Sequence, residues 1–171
     1  IREFLESHAD KLGGMVLDYG CGKQPYRDIV IKAGGDYFAY DSPHHGGSVV
    51  TEHVNHLGSV GGNLNAFDAV ICTQVIQYVD DPGEFVEDIY RYLGEGAWLL
   101  ITGPTNWPVV EHADLWRFTI NGVARILGYA GFTVMGANER HGIMHGGDTT
   151  SPVLMSNWPL WKLHSTTSPS M

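Results

Sequence analysis

Short apolar runs alternate along most of the chain with stretches in which apolar residues recur at helical spacing. Residues 2–12 place Phe4, Leu5, Ala9 and Leu12 at roughly that spacing, which predicts an amphipathic helix ended by Gly13-Gly14. Met15, Val16 and Leu17 form a continuous apolar run, so 15–19 reads as a buried strand. Pro25 suits the first turn of a helix reaching about Ala33, and Gly34-Gly35 stops it before a strand at 36–40. Residues 42–65 carry the weakest pattern, with a short strand near 49–54. The signal returns at 67–73, a short apolar strand bounded by polar residues. Asp81-Pro82-Gly83-Glu84 then opens a helix: Asp81 caps it, Pro82 takes the first position and Glu84 completes a capping box. Phe85, Ile89 and Leu93 give that helix one apolar face, with Gly94 and Gly96 ending it before a strand at 97–102. A long loop rich in Pro, Trp and His covers 103–118. Thr119 caps a further helix carrying Val123, Ile126 and Leu127, closed by Gly128 and Gly131. Strands at 132–138 and 153–155 complete the pattern.

Strands alternating with helices through about residue 140 predict a doubly wound α/β fold. Its mainly parallel sheet has helices on both faces and is abbreviated at the carboxyl end. Right-handed crossovers gather the strand-to-helix loops on one edge. The turn at Gly20–Gly22, Asp41, Thr73-Gln74 and the 103–118 loop would then surround one crevice. At 171 residues the chain reads as one domain over 1–164, with a low-complexity flexible tail over 165–171.

The candidate chemistry gathers at that crevice. Asp18 ends the first strand, and Gly20 and Gly22 let the backbone turn tightly and pass close to a ligand. Asp41 follows 19 residues after Gly22, at the end of the second strand, where a carboxylate can accept both hydroxyl hydrogens of a ribose. A dinucleotide loop needs G-x-G-x-x-G, but Pro25 stands at the third glycine position, and no phosphate-binding G-x-x-x-x-G-K-[ST] is present. S-adenosylmethionine has the ribose and adenine without phosphate, and its cationic sulfonium suits Asp18 and Asp41. A nucleotide-dependent oxidoreductase is the competing enzyme class, and Pro25 argues against it.

Bulk composition narrows the partners. Ten Lys and Arg against nineteen Asp and Glu give a formal net charge of −9, which repels a phosphate polyanion on average and disfavours nucleic acid. Cys21 and Cys72 have neither disulfide nor zinc-ligand spacing, consistent with a reducing, cytoplasmic setting. No apolar stretch approaches the ~20 residues of a membrane span. The amino terminus begins inside an amphipathic pattern, unlike a signal peptide, and leaves room for residues upstream. His44, His45, His53 and His56 match no familiar metal-ligand set and read as solvated loop histidines. Oligomeric state is not legible.

Four segments together resemble class I S-adenosylmethionine-dependent methyltransferases over about residues 10–140. Val16-Leu17-Asp18-Tyr19-Gly20-Cys21-Gly22 is similar to the family's first motif and Tyr40-Asp41 to its acidic second motif. Residues 67–76 resemble its fourth-strand motif, and Tyr92-Leu93-Gly94-Glu95-Gly96-Ala97 resembles the segment before its fifth strand. Gly22-Lys23-Gln24-Pro25-Tyr26 and Asp114-Leu115-Trp116-Arg117-Phe118-Thr119 are similar to segments of small stand-alone, type-11-like members. The resemblance implies a Rossmann-like fold, S-adenosylmethionine as cofactor, S-adenosylhomocysteine as product, and a small-molecule or saccharide acceptor. It implies that Gly20, Cys21 and Gly22 approach the methionine part and ribose through their backbone. Asp18 would hold the loop and, through water, the cofactor's amino group. Asp41 would grip the ribose with Ser42 beside the adenine, His53 and Val54 would contact the adenine, and Thr73 and Gln74 would line the methionine side. The acid usual at the end of the third strand is replaced by His53. A Glu-His pair usual after the fourth strand is Gln77-Tyr78, which can hydrogen-bond but has no acid/base role.

Methyl transfer is an in-line displacement that needs alignment and exclusion of water more than a base. If a general base acts, His112 on the 103–118 loop is the candidate. Arg117 either binds an acidic group of the acceptor or pairs with Asp114 and locks the loop. Trp107 and Trp116 either wall an acceptor pocket or pack the loop. The alternative outside enzymology is a non-catalytic methyltransferase-like module that holds the cofactor or a partner.

Overall fold

A computed structural model describes residues 1–41, 64–106, 108–109, 114–135 and 160–163. In chain order the elements are α1 (Arg2–Glu6), β1 (Gly14–Tyr19), α2 (Arg27–Lys32), β2 (Gly35–Tyr40), β3 (Phe67–Thr73), α3 (Pro82–Tyr92), β4 (Leu93–Thr102), α4 (Ile120–Tyr129), β5 (Phe132–Val134) and β6 (Leu160–Leu163). Single 3-10 turns cover Ala9–Lys11 and Ile76–Tyr78.

Among the described residues six strands form one sheet in the order β2-β1-β3-β4-β6-β5. The first four are parallel, and β6 runs antiparallel between β4 and β5. Parallel strands buried on both faces read as near-continuous apolar runs, and β1 and β3 do so. Alternation sends Leu17, Val70, Cys72, Leu99 and Ile101 to the face covered by α3 and α4, where Val86, Ile89, Val123 and Leu127 are fully buried. Val16, Ala69, Ile71 and Leu100 face α1 and α2, against Phe4, Leu5, Ile29 and Val30. The doubly wound sheet matches the sequence reading.

Local signals account for several element ends. The Asp81 carboxylate accepts from the backbone N–H groups of Gly83 and Glu84 at 2.7 and 3.1 Å, with Pro82 at the start of α3. Thr119 Oγ1 accepts from Gly122 N at 3.1 Å and caps α4.

Four expectations need adjusting. The helix expected over 2–12 is α1 followed by a separate 3-10 turn, and the chain bends so that Leu12 is buried beside Val16. Pro25 precedes α2, which starts at Arg27, so it leads into the helix without occupying its first turn. Gly94 and Gly96 lie inside β4, because α3 passes straight into the strand at Leu93, and the β3–β4 pairing shifts register there. The antiparallel β6 was not foreseen. The strands expected near 49–54 and 153–155, the four loop histidines and the tail lie outside the described residues. Among the described residues no helix is long and apolar enough to cross a membrane, and no cluster of three potential metal ligands occurs.

Candidate functional site

The parallel register brings the carboxyl ends of β1, β2, β3 and β4 together, with Tyr19 opposite Tyr40 and Thr73 opposite Thr102. In open α/β sheets ligands bind in the crevice outside these ends. The turn after β1 is tied to β2: Gly20 N and Cys21 N both donate to Tyr40 O, at 2.8 and 3.0 Å. The Asp41 carboxylate accepts from Gly22 N at 3.0 Å. The spaced acid seen in the sequence therefore sits against the glycine turn.

The two glycines have different reasons to be there. Gly20 has φ +83°, and a Cβ on it would overlap Val75 Cγ2, so the protein's own packing demands the absence of a side chain. Gly22 has φ +49°, and a Cβ there would meet no described residue within 4 Å. Among the described residues nothing fills the space beside Gly22.

Asp18 is buried beneath the turn, only 1% exposed. Its Oδ2 accepts from the Tyr37 hydroxyl at 2.6 Å, whereas its buried Oδ1 has no hydrogen-bond partner among the described residues. Burial pushes this carboxyl up to about 7; the Tyr37 hydrogen bond opposes the rise and the nearby Asp41 charge adds to it. Burial, with Asp18 and Asp41 close by, also pushes the Cys21 thiol up to about 12. Cys21 is therefore a neutral thiol at physiological pH, unsuited to nucleophilic work.

On the β3 side Gln74 has φ +57°. Its backbone N donates to Thr102 O at 3.0 Å and its Nε2 to Thr102 Oγ1 at 3.2 Å, which fastens the end of β3 to β4. Gln77 Nε2 donates to Gln74 O at 3.0 Å, and the Gln77 carbonyl oxygen accepts from Leu115 N at 2.8 Å. Trp116 Nε1 donates to Val79 O at 2.7 Å, and Phe118 N to Pro104 O at 3.1 Å. The last part of the 103–118 loop is thereby fastened over the 3-10 turn that follows β3. Arg117 donates both terminal nitrogens to Asp114, at 2.5 and 2.7 Å, and one of them also to Pro108 O at 3.1 Å. Of the two roles open to Arg117, the geometry shows the pairing that locks the loop.

Of the residues proposed from sequence, Asp18, Gly20, Cys21, Gly22, Asp41, Thr73 and Gln74 lie at the adjoining carboxyl ends of β1, β2 and β3 or in the turns just beyond them. Ser42, His53, Val54, His112 and Trp107 lie outside the described residues. Sequence reasoning missed Tyr37, whose signal was strand alternation: with Val16 opposite Tyr37 and Asp18 opposite Ala39, Tyr37 lies one diagonal from Asp18 on the same face. It also missed Val75 as the reason for Gly20.

The carboxylates of Asp18 and Asp41 are chemically suited to hydroxyl or cationic donors of a ligand. Among the described residues, Asp41 lies at the turn, Asp18 Oδ1 is an acceptor without a donor, and nothing fills the space beside Gly22. No glycine-rich phosphate loop is built here.

Comparison with known proteins gives a consistent picture. The family model described as a methyltransferase domain matches residues 1–135. A ubiquinone biosynthesis O-methyltransferase of Paraburkholderia phymatum is 26% identical over 112 residues, spanning 58% of this chain and 48% of the relative. The chain thus spans about half the length of that curated relative. A S-adenosylmethionine-dependent methyltransferase from Archaeoglobus fulgidus superposes with a TM-score of 0.60 at 14% identity, covering 95% of this chain and 93% of its own. Phosphoethanolamine N-methyltransferase 2 of Haemonchus contortus, solved with S-adenosyl-L-methionine, superposes with a TM-score of 0.56 at 20% identity. It covers 72% of this chain and 35% of its own. At these identities the solved structures establish the fold.

Proposed function

The chain belongs to the methyltransferase-domain family, and from that premise we propose that it transfers a methyl group from S-adenosylmethionine to a small-molecule acceptor. The observation that carries this reading is the junction of Asp41 with the Gly20–Gly22 turn at the end of β1. Asp41, fastened to Gly22 N, is suited to accept from ribose hydroxyls, and no described residue fills the space beside Gly22 through which the ribose and methionine parts would approach. The unsatisfied Oδ1 of Asp18 suits a cationic donor, which this cofactor has and a pyrophosphate lacks. The relatives' printed names support the same cofactor and a small acceptor.

When bound, S-adenosylmethionine supplies an activated methyl group that passes in line to a nucleophile and leaves S-adenosylhomocysteine. The chain's own work is to orient and to exclude water. Asp41 would accept from the two ribose hydroxyls while keeping its hold on Gly22 N. Gln74, fastened to β4, would line the methionine side with Thr73. The loop locked by Asp114 and Arg117 would cover the acceptor, with exposed Leu115 and Trp116 giving it an apolar character that suits an organic acceptor. His112 is our candidate to take the acceptor's proton.

Calorimetric titration with S-adenosylmethionine, S-adenosylhomocysteine and NADH tests the site. The first two should bind and Asp41→Ala should weaken both by more than tenfold, since two charge-assisted hydrogen bonds contribute roughly 1.5–3 kcal/mol each. Binding of NADH alone would refute the reading. Transfer of a labelled methyl group to a panel of small hydroxylated and amine acceptors tests the activity. Cofactor binding without transfer to any of them would favour a binding module.

A further inference from the structure

We propose that Tyr37 is a positioning residue for the cofactor: its hydroxyl occupies one oxygen of the Asp18 carboxylate and so presents the other to the cofactor's cationic amino group. The inference rests on the proposed binding of S-adenosylmethionine and assigns a residue that lies outside the motifs of the glycine turn.

The geometry begins with the sheet register. Val16 pairs with Tyr37 and Asp18 with Ala39, so the Tyr37 side chain starts one diagonal away from Asp18 and reaches along the strand to it. The hydroxyl donates to Asp18 Oδ2 at 2.6 Å. The Arg27 guanidinium lies 5.8 Å from the centre of the Tyr37 ring, over its face, and holds the ring from the α2 side. Asp18 is nearly fully buried, and its Oδ1 is without a hydrogen-bond partner among the described residues. Buried polar atoms in native proteins are normally satisfied, and an exception at a ligand crevice marks where a ligand's donor belongs. The Tyr37 hydrogen bond restrains the carboxylate and occupies Oδ2, which leaves Oδ1 for that donor, reached through a water or on opening of the turn.

The pair also gives cofactor binding a proton dependence. A cationic amino group needs Asp18 charged. Burial and Asp41 favour the neutral acid, whereas the Tyr37 hydrogen bond favours the carboxylate. The other titratable or charged groups around the pair are Cys21 in the turn, Tyr26 ahead of α2, Arg27 on α2 and Cys72 on β3. Cys21 and Cys72 are held as neutral thiols by burial, and Tyr26 is raised in the same direction. Removing the Tyr37 hydroxyl therefore moves the protonation of Asp18 to higher pH. A residue that merely filled space would not do this.

The test is calorimetric titration of the protein with S-adenosylhomocysteine from about pH 5 to about pH 9, spanning the perturbed carboxyl. The proteins are wild type, Tyr37→Phe and Asp18→Asn, with thermal unfolding of each as a check on folding. Wild-type affinity should fall by up to about tenfold per pH unit below its midpoint. Tyr37→Phe should shift that midpoint upward and weaken binding near neutrality by about tenfold, the effect of losing one hydrogen bond to a charged group. Asp18→Asn should lose this component of the pH dependence. The ligand's own titration is common to all three and cancels in the comparison. An unchanged midpoint in Tyr37→Phe, or an undiminished pH dependence in Asp18→Asn, would overturn the inference while leaving the cofactor assignment intact. Absence of binding to the wild type at every pH would overturn both.

Discussion

Gly20→Ala separates what the glycine turn owes to the protein's own packing from what it owes to a ligand. At φ +83° an L side chain is strained, which costs roughly 1–2 kcal/mol. The new methyl would also overlap Val75 Cγ2 and stand 3.2 Å from Cγ1. Val75 is β-branched with few open rotamers, so relief requires backbone movement, and overpacking of this kind costs about 1–3 kcal/mol. The sum is about 2–5 kcal/mol, or roughly 5–20 °C in Tm for a domain of this size. Gly22→Ala meets only the conformational cost, because its Cβ would touch no described residue, and should lose roughly 1–2 kcal/mol. Urea unfolding followed by circular dichroism measures both. The Gly20→Ala cost should also shrink by about 1–2 kcal/mol in a Val75→Ala background, as a double-mutant cycle detects for groups in contact. If Gly20→Ala is no more destabilising than Gly22→Ala, or the cycle is additive, Val75 does not determine the turn. Cofactor affinity should show the opposite order, with Gly22→Ala more harmful per unit of lost stability.

Three further outcomes are expected. The folded Asp18 carboxyl lies well above its unfolded value, so the native state binds more protons between about pH 4 and about pH 7. Wild-type stability should therefore fall as pH rises through that window relative to Asp18→Asn, by at most about 4 kcal/mol; parallel stability profiles for the two proteins would contradict the burial of Asp18. Arg117→Ala should remove the guanidinium that donates to both oxygens of the buried Asp114 carboxylate, cost about 2–4 kcal/mol and expose the 103–118 loop to limited proteolysis, whereas unchanged cleavage would mean that the contacts to Gln77 suffice. Once an acceptor is in hand, His112→Ala should lower turnover more than cofactor affinity; equal turnover would make it a bystander, and a parallel fall in affinity would assign it to the cofactor site.

Much of the candidate site's backbone arrangement was legible because its signals are local. A strand followed by Asp18 and two glycines needs no partner to be recognised, and the spacing to Asp41 follows from one helix and one strand of ordinary length. The caps Asp81 and Thr119 act within three residues of themselves and could be read directly. Arg117 and Asp114, three residues apart, were readable as a pair, but only the structure decided between an ion pair and a substrate contact. Tyr37 and Val75 were not legible as site residues. The first acts across a strand pair and the second from the turn after β3, so neither has a signature in its own neighbourhood. The antiparallel β6 was missed because its partners β4 and β5 are distant in sequence and its four residues carry no distinctive period.

By itself the sequence determined the order of the described strands and helices through β5, the doubly wound class and the position of the glycine turn. These follow from hydrophobic periodicity and from the backbone freedom of particular residues, which are properties of short segments. Tertiary structure alone decided how the turn is held and what it offers. The β1–β2 register set Tyr37 against Asp18, the course of the chain after β3 set Val75 behind Gly20, and burial moved the Asp18 carboxyl toward neutrality. Contact across strands and the dielectric around a side chain depend on which segments meet, and no segment carries that information alone.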